Sequence, residues 1–333
     1  MISTEDSFQW QFDYATDRQK LGALYEKAKK YQWNATVDID FSRPVDPSQP
    51  IIGEDISGGV AFIPLMKRLS KSQQENLRAH LTAYRLSQFI HGEQGAMMTA
   101  AALTHAVPDH QAKLYSATQT MDEARHVEVF TRYLEKLGPI YPMSRGFKSV
   151  LDRTLGADHW IKIAIGMNMV VEGMAVATFH NMIAMTSCEL LKEILRAVVR
   201  DESRHVAFGG LYVAEALAAM HPDDREEIAD FTFEVVQLLR ATRHEHANAE
   251  QGFLQLLNNV GIAYEDVLRS AAEMQQSGAE VQLPSQLVHP FKHLMMPALV
   301  RVGAVTERAK ERYAEVGIPV WTDRAMLERM EQA

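Results

Sequence analysis

The chain has 333 residues, 47% of them hydrophobic, enough for one large domain or two ordinary ones with a sizeable core. A formal net charge of −9, with no Lys/Arg-rich block, argues against nucleic acid or an anionic membrane surface as the main partner, because either selects a basic face. The single cysteine, Cys188, excludes internal disulfides, iron–sulfur clusters and cysteine zinc sites, so any metal must sit on carboxylates and histidines.

The N-terminal stretch MISTEDSFQWQFDYATDRQK carries acids and aromatics where a signal peptide needs a basic and then an apolar segment. No apolar run reads as a membrane span, so a cytoplasmic protein is expected. DRQKLGALYEKAKKYQW reads as a short helix and SRPVDPSQPIIGEDISGG as a loop. Ser70 or Ser72 caps a long helix that stops at Val107-Pro108. Asp109 opens the next helix, which ends at Gly138-Pro139; a loop with Pro142 and Gly146 follows. The third long run, HWIKIAIGMNMVVEGMAVATFHNMIAM, is apolar nearly all round and is expected to be the central buried helix. A turn near Thr186-Ser187 leads to the fourth, ended by His221-Pro222, and further helices follow. Sustained period-two alternation is lacking, so the fold class is all-α. The expected division is an N-terminal extension over 1–69, a four-helix bundle over 70–220 and accessory helices over 221–333 packed on it as one domain overall.

Two stretches carry an unusual density of charge: MDEARHVEVF from Met121 and RDESRHVAFG from Arg200. Asp122, Glu123, Arg125 and His126 align with Asp201, Glu202, Arg204 and His205, each pair 79 positions apart. Residues three apart share a helix face, so Glu123 pairs with His126 and Glu202 with His205, the Glu-x-x-His element by which bundle helices hold two metal ions. Such a site needs one further carboxylate from each of the other two helices. Glu93 and Glu172 stand in mid-helix among small or apolar neighbours, again 79 positions apart. Burying Glu172 alone in the most apolar helix would cost several kcal/mol unless a cation neutralised it. Four carboxylates and two histidines suit iron or manganese. Asp122 and Asp201 are placed to accept the free imidazole N–H of the opposite helix's histidine, with Arg125 and Arg204 pairing with those aspartates.

A lone Glu-x-x-His is most often a solvated pair; six candidates in a repeated register are not. His244, Glu245 and His246 diverge on a helix and read as a solvated face, His91 and His180 as core or lining histidines. Met97, Met98, Met121, Met167, Met169 and Met174 read mainly as core filling.

From Ser70 to Met220 these motifs resemble the ferritin-like, carboxylate-bridged di-iron superfamily, and the doubled Asp-Glu-x-Arg-His resembles its oxygen-activating branch. The resemblance implies a ferritin-like four-helix bundle with flanking helices. It also implies two iron ions per chain, manganese–iron being compatible, with O2 as co-substrate. By position, Glu93, Glu123 and His126 would hold one metal and Glu172, Glu202 and His205 the other, some carboxylates bridging. The small subunit of ribonucleotide reductase usually has a radical Tyr four residues after the first His; here it is Phe130. Arylamine N-oxygenases of the superfamily have an extra His one turn before the second-motif Glu; here it is Val198. Ferritin subunits are about half as long.

The expected function is O2-dependent oxygenation or oxidation of a small, largely apolar or aromatic molecule, by hydroxylation or N-oxygenation. The alternatives are a radical-generating or an iron-storing relative. Gly92, Ala96, Met97, Phe130, Gly173, Val176 and Val198 are candidates for the pocket lining, with Gly95, Ala175 and Thr178. A Gly-x-Gly-x-x-Gly loop and a cysteine cluster are both missing, which implies an external reductase or ferredoxin. A homodimer is also expected.

Overall fold

The computed structural model describes residues 10–15, 17–46, 62–242, 249–277 and 287–322. Among them there are helices and no strand. After α1 (Gln19–Lys30) and the single turn α2 (Ile63–Met66) comes α3 (Lys71–Ala106), started by a capping box in which Ser70 and Gln73 each receive the other's backbone N–H. α4 (His110–Leu137) begins where the Asp109 carboxylate accepts from Ala112 N at 3.0 Å. α6 (Trp160–Met185) and α7 (Glu189–Ala219) complete the four long helices. α3 packs mainly on α4 and α6 on α7, and α1 lies across α4 and α7.

The segment after Pro142, expected to be a loop, instead forms α5 (Arg145–Leu155). Ser144 caps it by accepting from Phe147 N at 3.2 Å, and Gly146 falls in its first turn, where one glycine is tolerated. α8 (Pro222–Ala241) packs on α5 and on the first half of α6. α9 (Gln251–Val260) covers α3, and α10 (Tyr264–Ser277) covers α2. A π turn, Phe291–Met295, runs into α11 (Met296–Val302) against α7, and α12 (Glu307–Glu315) closes on α8.

α6 is, contrary to the sequence reading, long and apolar enough to cross a membrane, but 83% of its most apolar window is buried by neighbouring helices. Within it Ile165–Val171 is π-helical, every residue buried, and Glu172 is the first residue after the wide turns. Two methionines expected in the core are exposed, Met98 at 47% and Met121 at 57%. His91 is half-buried, with Nε2 2.8 Å from the Tyr141 carbonyl. His244, Glu245 and His246 lie outside the described residues.

Candidate metal centre

α3 contributes Glu93, α4 Glu123 and His126, α6 Glu172, and α7 Glu202 and His205, all buried. They form two overlapping groups: Glu93, Glu123, His126 and Glu202, and Glu123, Glu172, Glu202 and His205, with donor atoms in each group within 4.8 Å of one another. Glu123 and Glu202, at the centre, belong to both groups.

Around this core the doubled motif closes on itself. His126 turns Nε2 to Asp201 Oδ2 at 3.3 Å, and His205 turns Nε2 to Asp122 Oδ2 at 3.2 Å. Each aspartate thereby fixes the tautomer that leaves the Nδ1 lone pair facing inward. Arg125 Nη2 donates to Asp122 at 2.6 Å and to Asp201 at 3.0 Å, while Arg204 Nη2 donates to Asp201 at 2.5 Å and to Asp122 at 3.3 Å.

Four residues of the site escape the sequence reading. The segment just after α1 delivers Trp33, whose indole N–H donates to Asp201 at 2.7 Å, and Gln32, which donates to Asp122 at 2.9 Å and accepts from Arg125. The Arg125 guanidinium also sits over the Trp33 ring, 4.9 Å from its centroid. On the inner side Gln119 donates to Glu172 at 2.9 Å and to Glu123 at 3.2 Å; Asn168 donates to Glu172 at 3.1 Å and to the Gln119 carbonyl at 3.1 Å. Gln119 stands one turn before Glu123, a spacing visible in the sequence; nothing local marks Trp33.

Charge provides the test of whether these residues fit metal. Six buried carboxylates, of Glu93, Asp122, Glu123, Glu172, Asp201 and Glu202, face two buried guanidiniums, those of Arg125 and Arg204. That leaves a deficit of four charges, which two divalent ions cancel. Neither oxygen of Glu202 receives a directed hydrogen bond, although His126 Nδ1 lies 3.0 Å away. Buried carboxylate oxygens without donors suit a metal. With protons alone available, burial and the neighbouring Glu202 charge push Glu93 up to about 8 and Glu172 well above the usual carboxylate range. Burial opposes protonation of both histidines, but Asp201 and the glutamates around His126, and Glu123 and Glu202 beside His205, overcome it and raise them well above the usual range.

A cavity of about 220 Å³ between α3 and α6 reaches Glu93, Glu172 and Glu202. Gly92, Ala96, Ala175 and Thr178, four of the candidates named from the sequence, line it together with Phe89, Phe147, Met167 and Met174. Met97, Phe130, Gly173, Val176, Val198 and Gly95 do not. Phe130 and Val198 are wholly buried in the core beside α4 and α7, and Val176 in the core around α6. Gly173 faces Met295, Gly95 abuts Leu151, and Met97 lies half-buried off the cavity-lining face of α3. None of the described lining residues is Lys, Arg or His.

Among solved structures, a valine-to-leucine variant of an R2-like ligand-binding oxidase with anaerobically reconstituted Mn/Fe cofactor is 19% identical, covering 83% of this chain and 99% of its own, with a TM-score of 0.51. An R2-like ligand-binding oxidase with aerobically reconstituted Mn/Fe cofactor is also 19% identical, covering 82% of this chain and 98% of its own, with a TM-score of 0.49. No curated protein matches. The family described as p-aminobenzoate N-oxygenase AurF matches residues 15–281, the span that holds α1, the four long helices and every residue of the centre. The chain belongs to the AurF family and is an oxidoreductase of the ferritin-like, oxygen-activating di-iron class.

Proposed function

We propose that Glu93, Glu123, His126, Glu172, Glu202 and His205 would hold two iron ions, Glu123 and Glu202 being common to both donor groups, and that the protein oxygenates a small, neutral, largely apolar or aromatic molecule. The observation that carries this reading is the overlap of two four-donor groups, wholly buried, at the floor of an apolar cavity. When bound, the metal pair supplies the reduction of O2. The chain's own residues hold Nδ1 of both histidines inward, balance the outer aspartates with guanidiniums, and exclude water with Phe89, Phe147 and Met167. The family description supports N-oxygenation of an aromatic amine, while the cavity gives a carboxylate no cation among its described lining residues. Val198 supports a coordination set without the extra histidine.

Two electrons per turnover would come from an external reductase or ferredoxin. A cytoplasmic homodimer completes the proposal; the exposed Met98 and Met121, both on the α3–α4 hairpin, support an apolar contact there. The test is turnover of iron-loaded, chemically reduced protein under ¹⁸O2, with aniline and p-aminobenzoate as probes. Label in the oxidised product, with aniline favoured over its acid, is the expected result. Product without label, or no O2 uptake in any condition, contradicts the reading.

A further inference from the structure

The 79-residue repeat pairs positions as well as ligands, and three pairs beside the metal-binding residues break the symmetry. Gln119 corresponds to Val198, Asn168 to Phe89, and Gly209 to Phe130. On one side of the centre Phe89 packs obliquely against Phe130 with centroids 6.2 Å apart, in the core cluster that also holds a wholly buried Val198. On the other side, Gly209 lets α7 approach α6 so closely that a Cβ there would lie 2.8 Å from Asn168 Cβ. Into that space the two amides reach Glu172, Asn168 donating to one carboxylate oxygen and Gln119 to the other. Both amides are fully buried, and Asn168 issues from the π-helical segment immediately before Glu172.

Glu93, the repeat partner of Glu172, has no such support. The one side chain within hydrogen-bond distance among the described residues is His126, Nδ1 of which lies 3.3 Å away and itself faces the metal position. Around Glu93, Phe89, Gly92 and Ala96 are open to the cavity. A carboxylate held at both oxygens by fully buried amides is pre-oriented; one walled by phenyl and aliphatic groups is free to swing.

We propose that Gln119 and Asn168 are positioning residues that lock Glu172 and make the two metal positions unequal. The position of Glu172 and His205 fills first and more tightly, and Glu93 is the carboxylate that moves as the cavity is used. This rests on the dimetal reading above.

The experiment is anaerobic titration of the full-length, metal-free protein with Mn(II), following the free ion by its electron paramagnetic resonance signal. Wild-type protein should take up two ions in two steps at least about tenfold apart. Gln119→Leu and the milder Asn168→Ser should weaken the tight step by about 10- to 100-fold, so that the steps merge. Val198→Ala should leave the tight step unchanged. Crystals soaked with one equivalent of Mn(II) should show anomalous density at the Glu172–His205 position; far-ultraviolet circular dichroism confirms that each variant is folded. Two equal steps in wild-type protein, an unchanged tight step in both clamp variants, or first density at Glu93 overturns the inference while leaving the centre intact. Uptake of fewer than two ions by wild-type protein contradicts the dimetal reading itself.

Discussion

Each histidine of the candidate centre is answered by an aspartate that the doubled motif supplies. Asp-Glu-x-Arg-His places a candidate ligand pair on the inner face of a helix and an Asp–Arg pair just outside it, and the two copies cross so that each aspartate serves the other copy's histidine. The network is neutral only when the inner carboxylates are balanced. Without metal, protons on Glu93, Glu172, His126 and His205 balance them, since all four groups are raised above their usual values. The sign of the pH dependence follows: groups that hold protons at pH 7 in the free protein must release them on binding, so metal affinity rises with pH through the range near 8 set by Glu93. Calorimetric titration with ferrous iron in buffers of different ionisation enthalpy should register release approaching four protons per chain at pH 7, one from each of these groups. Uptake without proton release would contradict this electrostatic account.

At the scale of helices, the centre depends on how closely α6 and α7 approach and on what caps the bundle from outside. Gly209 is the contact point: adding a methyl group there forces either Asn168 or α7 to move. Gly209→Ala should therefore lower stability by about 1–3 kcal/mol, read from denaturant unfolding of the metal-free protein, and disturb Glu172 as well. Unchanged unfolding and unchanged metal affinity would show that the contact relaxes freely. The four long helices, and the six residues that they bring together at the centre, were legible in the sequence, because caps at Ser70 and Asp109 and a Glu/His register repeated at 79 residues are local signals. α5 was not, because Pro142 and Gly146 read as breakers while Ser144 acts as a cap. Trp33 was not either: it lies 168 residues from Asp201, a relation that only packing of α1 across the bundle creates. Of the residues named for the pocket lining, the small residues Gly92, Ala96, Ala175 and Thr178 border the cavity, whereas Phe130 and Val198 share the register of the Glu/His positions and are instead core.

Over the whole molecule, two internal copies of a helix pair converge on one centre, then diverge in what surrounds it. The segment just after α1 covers the Asp–Arg network with Gln32 and Trp33, while α5 and the end of α8 supply Phe147, Leu239 and Thr242 to the cavity lining. The candidate centre is thus bordered both by a buried Asp–Arg network and by a largely apolar cavity, and an apolar surround suits an oxygenase, which must keep water from the reacting molecule. Six side chains, of Glu93, Glu123, His126, Glu172, Glu202 and His205, are proposed to hold two metal ions beside that cavity. The most direct measurement is anomalous diffraction at the iron edge from crystals of fully iron-loaded protein. Two peaks about 3.5–4 Å apart are expected, both within bonding distance of Glu123 and Glu202, one also next to Glu93 and His126 and the other next to Glu172 and His205. A single peak, or iron bound away from these six residues, would contradict it.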